Sequence, residues 1–216
     1  MTDPELAPLT INEFQELTHV SDETLRNLEK YKDILTQWQK KINLVSQKSL
    51  NDLWRRHMLD SAQLFSHLIN VKNPIIDLGS GAGFPGLVLA IMGLKNIHLV
   101  ESDNRKCTFL REISVQTNTD ATIHNARIEK MDTIDAGVVL ARGLASLDAL
   151  LDYAAPLLAE NGFCLFLKGQ KVEQELTLCQ KNRMMQVQRS GSLSDPTGVI
   201  LKIDNVSRKN ACESRP

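Results

Sequence analysis

An acidic residue followed by alternating glycines is the part of the sequence whose chemistry is easiest to interpret. Residues 75–86 read IIDLGSGAGFPG, so a short apolar run includes Asp77 and leads into Gly79, Gly81 and Gly83. Glycines at alternate positions allow positive φ angles and let the backbone approach a ligand with no Cβ between them. A strand, a glycine turn and a helix in this order are typical of α/β folds that bind a nucleotide or nucleoside.

A second carboxylate lies where such a ligand needs one. The apolar run at 97–100 ends in Glu101, 18 residues after Gly83, and a carboxylate there can accept hydrogen bonds from ribose hydroxyls. The third glycine comes one residue earlier than in the dinucleotide pattern G-x-G-x-x-G. The pattern resembles motif I of the S-adenosylmethionine-dependent methyltransferases. A regulator that binds NAD through the same turn is the alternative from a different class.

Composition places the chain among ordinary globular proteins. It has 216 residues, of which 42% are hydrophobic and 24% charged, enough for one α/β domain with an extension. The longest apolar run, 86–94, is far shorter than the roughly 20 residues of a membrane span, and the acidic start does not resemble a signal peptide. The four cysteines show no metal-site spacing with the histidines. We therefore expect a cytoplasmic protein with free thiols, no metal and no membrane partner.

Charge is distributed unevenly along a chain whose net charge is only −1. Residues 1–36 carry eight acids and three bases, whereas residues 37–57 carry five bases and one acid. Residues 161–216 carry nine bases and five acids. This separation is compatible with a basic face that binds nucleic acid, although charged runs are also common on solvated helix faces.

Periodicity predicts N-terminal helices followed by alternating strands and helices. Apolar spacing of three or four predicts helices over 21–46 and 49–69. The elements predicted next are strand 75–78, a helix to about 92, strand 97–101, helix 104–116, strand 121–124, strand 137–141, helix 146–159, strand 162–168 and helix 171–181. Such alternation indicates a parallel sheet with helices on both faces.

The C-terminal part breaks the alternation. Segments 184–190 and 198–206 are both strand-like and are joined by a turn, which predicts an antiparallel hairpin at the sheet edge. The expected fold is therefore α/β, a class I (Rossmann-like) methyltransferase with a seven-stranded, mostly parallel sheet. The expected units are an N-terminal helical extension over 1–70, a cofactor-binding domain over 71–206 and a disordered tail over 207–216.

Basic residues follow two of the predicted parallel strands. Arg142 ends the fourth strand in VVLAR, and Lys168 ends the fifth in FLK. Loops beyond the carboxyl ends of parallel strands build the binding crevice, so we expect both cations there. Arg56, Asp60 and Gln63 have the spacing of a single helix face, which is either a functional or a merely solvated face.

Taken together, these motifs resemble the bacterial glucose-inhibited division B family of 16S ribosomal RNA guanine-N7 methyltransferases. The resemblance runs from about residue 25 to about residue 203. It rests on NLVS (43–46), RHMLDS (56–61), DLGSGAGFPG (77–86), ESDNRKCTFLRE (101–112), RIE (127–129), ARGLASL (141–147) and LKGQ (167–170). The chain departs from the family at Gly143, where alanine is usual, and in the tail after 204.

The resemblance implies S-adenosylmethionine as cofactor and 16S ribosomal RNA, or the small ribosomal subunit, as partner. Separately, we expect a monomer. With the motifs, it gives candidates for three roles. The cofactor-binding candidates are Asp77, Gly79, Gly81, Gly83, Phe84, Glu101, Ser102, Ile128, Glu129 and Arg142. The catalytic candidates are Arg142 and Lys168, and the candidates for contact with substrate RNA are Arg55, Arg56, His57 and Lys168.

The chemistry of guanine N7 is consistent with what the sequence lacks. N7 carries a lone pair and no proton, so its methylation needs placement in line with the donor but no general base. The chain has no D/N-P-P-Y/F segment, which amino-nitrogen methyltransferases use, and no Pro-Cys for attack on a pyrimidine. Cys164 lies in a predicted buried strand and is expected in the core. A class I methyltransferase acting on another RNA, a protein or a small molecule is the alternative.

Overall fold

A seven-stranded sheet organises the computed structural model, which describes residues 7–209. The strand order is β3-β2-β1-β4-β5-β7-β6. The strands are β1 (Ile75–Leu78), β2 (Ile97–Glu101), β3 (Thr122–Asn125), β4 (Ala136–Arg142), β5 (Leu158–Lys168), β6 (Arg183–Gly191) and β7 (Val199–Arg208). Strands β1 to β5 pair in parallel, and β7 pairs antiparallel with both β5 and β6. The predicted mostly parallel sheet with a terminal hairpin is confirmed.

The central strands are apolar because helices cover both sheet faces. Every residue of β1 is buried, as expected for a parallel strand enclosed on two sides. Neighbouring side chains of one strand join different cores, so that Ile75 packs in one cluster and Ile76 in the other. In the register, Leu78 lies beside Val100 of β2 and Ala141 of β4. The residues that follow these three strands therefore meet at one edge of the sheet.

Nine α-helices in the described part of the chain surround the sheet. They are α1 (Ile11–Thr18), α2 (Asp22–Gln39), α3 (Gln47–Leu50), α4 (Asp60–Ala62), α5 (Phe65–Leu68), α6 (Gly86–Ile91), α7 (Asn104–Gln116), α8 (Leu147–Ala154) and α9 (Val172–Asn182). Buried side chains of α2, α6 and α7 share one core with the sheet, and those of α8 and α9 share the other. The N-terminal helices thus cover a sheet face directly, and the predicted domain boundary at residue 70 stays a prediction.

Helix α2 begins as predicted and ends earlier. Ser21 caps it by accepting a hydrogen bond from the Thr24 N–H at 3.2 Å. The predicted helix over 21–46 stops at Gln39, whose side chain accepts from the N–H groups of Leu44 and Val45 at 2.9 and 3.1 Å. These bonds satisfy the backbone of the following loop without further helical turns, so residues 40–46 leave the helix.

The predicted helix over 49–69 is wrong as a single element. Helix α3 ends at Leu50, a π-helical turn covers Trp54–Leu59, and α4 and α5 follow. The wider π-turn places an extra residue in the helix, a feature often found next to functional sites. Its buried members include His57 and Met58, so it directs side chains into the protein, a change that periodicity could not reveal.

The C-terminal strand runs slightly further than predicted, since β7 ends at Arg208 and not at 206. The rest of the predicted tail, residues 210–216, lies outside the described residues. Cys164 is buried in β5, and burial raises the pKa of its thiol to about 12, which confirms the prediction that it belongs to the core. Among residues 7–209, no helix combines the length and apolarity that crossing a membrane requires.

Candidate active site

A cavity of about 380 Å³ opens beside the glycine turn, at the carboxyl ends of β1, β2 and β4. We call it the glycine-turn cavity. It is lined by Gly79, Gly81, Val100, Glu101, Ser102, Lys106, Ala126, Arg127, Ile128, Glu129, Arg142, Gly143, Leu144, Ala145 and Tyr153. Its volume lies within the range of small-molecule sites, roughly 300–1,000 Å³. The structure therefore brings together the predicted candidates Gly79, Gly81, Glu101, Ser102, Ile128, Glu129 and Arg142.

The turn after β1 requires glycine for steric reasons. Gly79 and Gly81 have φ angles of 63° and 57°, in the left-handed region that side chains disfavour. A Cβ on Gly79 would lie only 2.6 Å from Cδ1 of Leu144. At Gly81 the nearest atom to an added Cβ is the Gly79 carbonyl oxygen at 3.7 Å. The backbone is thus exposed to the cavity at the second glycine.

Glu101 joins this turn to the end of β2. Its Oε2 accepts a hydrogen bond from the Gly81 N–H at 3.0 Å, and its Oε1 accepts from the Asp103 N–H at 2.8 Å. The side chain is buried, yet each carboxylate oxygen has a second lone pair. Glu101 can therefore accept two hydroxyl groups of a ligand in the cavity, which fits a ribose.

Three of the cofactor-binding candidates do not line the cavity. Asp77 is fully buried; its Oδ2 accepts from the Gly86 N–H at 3.0 Å, and its Oδ1 has no hydrogen-bond partner among the described residues. Burial raises the pKa of Asp77 to about 7. Gly83 has a φ of 92°, and a Cβ there would lie 2.7 Å from the Tyr31 hydroxyl oxygen. Asp77 and Gly83 thus support the turn from the protein interior and do not line the cavity.

Phe84, the third of these residues, packs on the side of the N-terminal helices. The residue is 3% exposed, and its ring lies between two other rings. The Tyr31 ring is stacked at a centroid distance of 5.2 Å, and the His57 ring at 4.7 Å. The Tyr31 hydroxyl also donates to the carbonyl of Ala82 in the glycine turn. Phe84 thus connects the turn to helix α2 and to the π-helical turn.

A second cavity of about 280 Å³ lies on the other side of Arg142 and Gly143, and these two residues line both cavities. Its walls come from four separate segments of the chain. The lining residues are Ser49, Arg56, His57, Asp60, Arg142, Gly143, Leu167, Lys168, Gly169, Ser192, Ser194, Asp195, Gly198 and Val199. Four of the predicted catalytic or RNA-contacting residues, Arg56, His57, Arg142 and Lys168, therefore share this cavity.

Arg142 is held by three acceptors between the two cavities. Its Nη1 donates to the Arg56 carbonyl at 3.0 Å and to Oδ2 of Asp60 at 3.3 Å. Its Nη2 lies 2.8 Å from Nδ1 of His57. The guanidinium carbon is also 5.1 Å from the centroid of the Phe84 ring, a favourable cation–π geometry. These contacts do not use every N–H donor of the guanidinium.

His57 is neutral in this arrangement. The residue is 8% exposed, and burial together with the positive charges of Arg142 and Arg56 lowers the pKa of His57 to about 3. Because Nδ1 faces an arginine N–H, the ring proton belongs on Nε2. That Nε2 is buried and has no hydrogen-bond partner in the part of the chain that the structure describes.

The other cations of the second cavity are paired with acids. Lys168 Nζ lies 2.7 Å from Oε2 of Glu175 and donates to the Ala145 carbonyl at 3.1 Å. Arg56 Nη1 lies 2.9 Å from Oδ2 of Asp195. The candidate Arg55 does not line this cavity; it pairs with Asp52 at 3.2 Å and faces a neighbouring groove.

The loop between β6 and β7 is the part of the site that sequence reasoning missed. Ser194 Oγ donates to Oδ1 of Asp60 at 2.5 Å, and the Leu193 N–H donates to Gln63 at 2.8 Å. Asp60 and Gln63, together with Arg56, thus hold this loop against the cavity, so their shared helix face makes specific contacts. The only signal in the sequence was the turn SLSDPTG, which indicates a loop and says nothing of where it packs.

Comparison with solved structures identifies the class. The magnesium protoporphyrin IX methyltransferase of Synechocystis, solved with bound S-adenosylmethionine, matches with a TM-score of 0.58 over 85% of this chain and 97% of that chain, at 12% identity. An S-adenosylmethionine-dependent O-methyltransferase of Thermotoga maritima matches with a TM-score of 0.56 over 83% and 73%, at 14% identity. At such identities the similarity is one of fold, and the fold is that of the Rossmann-like methyltransferases.

The family is defined by sequence. Residues 24–197 match the model of GidB, rRNA small subunit methyltransferase G, and the chain belongs to this family. The ribosomal RNA small subunit methyltransferase G of Paramagnetospirillum magneticum is 53% identical over 192 residues, covering 89% of this chain and 94% of that protein. The protein of the same name from Rhodospirillum rubrum is 49% identical over 189 residues, covering 88% and 94%.

Proposed function

We propose that this protein transfers a methyl group from S-adenosylmethionine to N7 of a guanine in a loop of the small-subunit (16S) ribosomal RNA. The observation that carries the proposal is the pair of cavities that share Arg142 and Gly143. One has the glycine turn and the carboxylate that a nucleoside needs, and the other is lined by three cations, Arg56, Arg142 and Lys168, each paired with an acid. The family to which the chain belongs and the names of its relatives support ribosomal RNA as the substrate.

The residues of the glycine-turn cavity fit the methyl donor. The second lone pairs of the Glu101 oxygens suit the ribose hydroxyls, and the bare backbone at Gly81 allows close approach of the methionine part. Ile128 follows β3 in a short 3₁₀ turn and is half-buried at the cavity wall, where it can cover a purine ring. The fold neighbour from Synechocystis holds the same donor.

When bound, S-adenosylmethionine supplies a methyl group on a positively charged sulfur. The task of this chain is then to place the acceptor nitrogen in line with that methyl group, because placement alone accounts for a large share of such rate enhancements. Arg142 lies on the wall common to both cavities, so its unused N–H donors can orient the acceptor base or its phosphate. Lys168 lines the second cavity, where its ammonium group can bind a phosphate.

The second cavity suits an acceptor that needs no deprotonation. Among its lining residues, His57 uses Nδ1 as an acceptor for Arg142, and Asp60 is shared between Arg142 and Ser194. The other acid of the lining, Asp195, is paired with Arg56 at 2.9 Å, so each candidate general base is engaged by an arginine, and the lining as described contains no cysteine. Guanine N7 offers a lone pair without losing a proton. A splayed base in a loop can enter such a cavity, whereas a paired base in RNA keeps N7 in a deep groove.

The experiment that tests the proposal is transfer of labelled methyl to 16S ribosomal RNA and to small ribosomal subunits, followed by mapping of the modified base. We expect the label on a single guanine. Chain cleavage at N7-methylated guanine locates that base. Label on an amino nitrogen or a pyrimidine would overturn the N7 assignment. Transfer only to another RNA or a small molecule would favour the alternative substrate.

We further propose that the enzyme acts as a monomer in the cytoplasm. Residues of a single chain line both cavities, so no second copy is needed to complete the site. Ribosomal RNA, named as the substrate of the relatives, is a cytoplasmic molecule in bacteria. Size-exclusion chromatography with light scattering tests the first proposal, and cell fractionation tests the second.

A further inference from the structure

We propose that His57 is a positioning residue, whose unprotonated Nδ1 holds the Arg142 guanidinium on the wall between the two cavities. The inference rests on the proposed function, because it assigns a purpose to the orientation of Arg142. It differs from the sequence-based expectation that His57 contacts RNA. His57 acts through Arg142 and need not touch the substrate itself.

The first step concerns the orientation of the arginine. A guanidinium on a strand end has several rotatable bonds, and holding it in one place costs side-chain entropy. Three acceptors, the Arg56 carbonyl, Asp60 and His57, lie on the side of the π-helical turn. With two of them on Nη1 and the third on Nη2, the plane of the guanidinium is fixed as well as its position.

The second step concerns the protonation state of the imidazole. A protonated ring would place an N–H opposite the Nη2 N–H of Arg142 at 2.8 Å, so donor would face donor and cation would face cation. Burial and the flanking arginines lower the pKa of His57, which keeps Nδ1 an acceptor over the physiological range. A neutral acceptor adds direction to the guanidinium without adding a second negative charge beside Asp60.

The third step concerns the support of the imidazole itself. The His57 ring stacks on Phe84 at 4.7 Å with an interplanar angle of 28°, and Phe84 stacks on Tyr31 at 5.2 Å with an angle of 12°. Tyr31 in turn donates to the Ala82 carbonyl of the glycine turn. The rings thus form a ladder from helix α2 through the glycine turn to Arg142, so the arginine is oriented relative to the cofactor-binding backbone.

Two substitutions of His57 distinguish the role of its Nδ1 acceptor from the role of its stacked ring. His57→Asn keeps an acceptor oxygen near the Nδ1 position and removes most of the ring, whereas His57→Phe keeps the ring stack and removes the acceptor. We expect His57→Phe to lower kcat for methyl transfer by about 30-fold or more, with KM for RNA changed by less than about threefold. His57→Asn should retain at least about tenfold more activity than His57→Phe.

A packing role would reverse this order, because the phenylalanine variant preserves the stack; equal or higher activity of His57→Phe would overturn the proposal. Should His57→Phe fail to fold in thermal denaturation, His57→Gln is the second variant. Its amide reaches past the Nδ1 position, so the same loss of kcat is expected, and wild-type kcat there would overturn the proposal. In an Arg142→Lys background, His57→Phe should cause little further loss.

A readout independent of methylation keeps this inference separable from the proposed function. In NMR spectra with ¹⁵N-labelled arginine, the Arg142 Nη signals should be resolved and slowly exchanging in the wild type and in His57→Asn. They should be lost or averaged in His57→Phe. If RNA is never methylated yet these signals behave as stated, the proposed function fails while the positioning role stands. Unchanged Arg142 signals in His57→Phe would overturn the positioning role directly.

Discussion

The two cavities that meet at Arg142 are built in different ways. The glycine-turn cavity depends on backbone, because Gly81 offers its bare main chain and Glu101 is fixed by two backbone N–H groups. The second cavity depends on side chains from four segments, held together by ion pairs such as Arg142 with Asp60. The first is specified locally by a short motif, and the second by the tertiary fold.

This difference also concerns charge. The cations of the second cavity are each neutralised within the protein, Arg56 by Asp195, Arg142 by Asp60 and Lys168 by Glu175. A net charge of −1 is therefore compatible with an RNA-binding site. Phosphates that enter must compete with these carboxylates, so recognition favours RNA whose shape brings its phosphates to the cavity over any polyanion.

The largest expected effect comes from the residue common to both cavities. Arg142→Ala removes the guanidinium on the wall common to both cavities, and we expect kcat/KM for RNA methylation to fall by about 100- to 1,000-fold. Steady-state transfer assays measure this loss. The matched control is Arg189→Ala, which breaks an exposed pair with Glu173 and should change kcat/KM less than about twofold. Full activity of Arg142→Ala would show that the cavities do not work together.

An alanine in the glycine turn tests how tightly the turn is packed against its neighbours. Gly83→Ala combines a φ of 92° with an added Cβ 2.7 Å from the Tyr31 oxygen, so we expect the free energy of unfolding to fall by about 3 kcal/mol. Gly93→Ala is the control, because Gly93 has a φ of 108° and no atom within 4 Å of an added Cβ. It should cost about 1 kcal/mol. Urea denaturation measures both, and equal losses would contradict the steric account.

Glu101→Gln tests whether the carboxylate serves only the binding of the methyl donor in the glycine-turn cavity. The amide keeps the shape but offers a weaker acceptor to the hydroxyls and puts an N–H₂ toward a backbone donor. We expect the Kd of S-adenosylhomocysteine to rise about tenfold, with KM for RNA unchanged. Isothermal titration calorimetry measures the first quantity. A changed KM for RNA with an unchanged Kd of S-adenosylhomocysteine would show that Glu101 serves the second cavity and not the glycine-turn cavity.

Lys168→Met tests the second cavity, where we expect RNA binding to change and cofactor binding to stay the same. It removes the charge near the second cavity and keeps an apolar stem, so KM for RNA should rise about fivefold. The Kd of S-adenosylhomocysteine should stay within about twofold, since Lys168 does not line the glycine-turn cavity. Loss of cofactor binding in this variant would show that the two cavities are not separable.

The smallest effect concerns two buried groups whose pKa values move in opposite directions. Burial raises the pKa of Asp77 to about 7 in the folded protein, from an ordinary value of 3.8. Between about pH 4 and 7 the folded state therefore keeps a proton that the unfolded state has lost, and stability falls as pH rises. The pKa of His57 is about 3, against 6.5, so its contribution rises with pH from about 3 to 6.5 and masks the first trend.

Asp77→Asn removes one of these opposing trends. Relative to the wild type, the free energy of unfolding of Asp77→Asn should increase by about 1 kcal/mol between pH 5 and pH 6. Urea denaturation at the two pH values measures the difference. A difference that does not depend on pH would show that Asp77 is already ionised in the folded protein at pH 5.

Features of the site that lie at strand ends could be predicted from the sequence, and features set by tertiary contacts could not. The location of Gly79, Gly81 and Glu101 beside the glycine-turn cavity could be predicted from the sequence, because each lies at or shortly after the end of a parallel strand. Arg142 and Lys168 could be placed for the same reason. The packing of Phe84 away from the cavity could not, because a residue after a turn can face either side.

The remaining features depend on contacts between distant segments. Ser194 and Asp195 lie more than 130 residues from Asp60 and Arg56, with which they pair, and no local pattern records such a contact. The π-helical turn at Trp54–Leu59 is likewise hidden, since its apolar residues recur as they would in an ordinary helix. It is this turn that buries His57 beside Arg142.

The most direct test of the two-cavity account uses the acceptor atom itself. Small-subunit RNA transcribed with 7-deazaguanosine keeps its base-pairing groups and replaces N7 by a C–H, so the second cavity receives a base with no lone pair at that position. In transfer assays with labelled donor, we expect normal methylation of the unmodified transcript and none of the 7-deaza transcript. The 7-deaza RNA should still compete as an inhibitor. Methylation of the 7-deaza transcript at the wild-type rate would contradict guanine N7 as the acceptor.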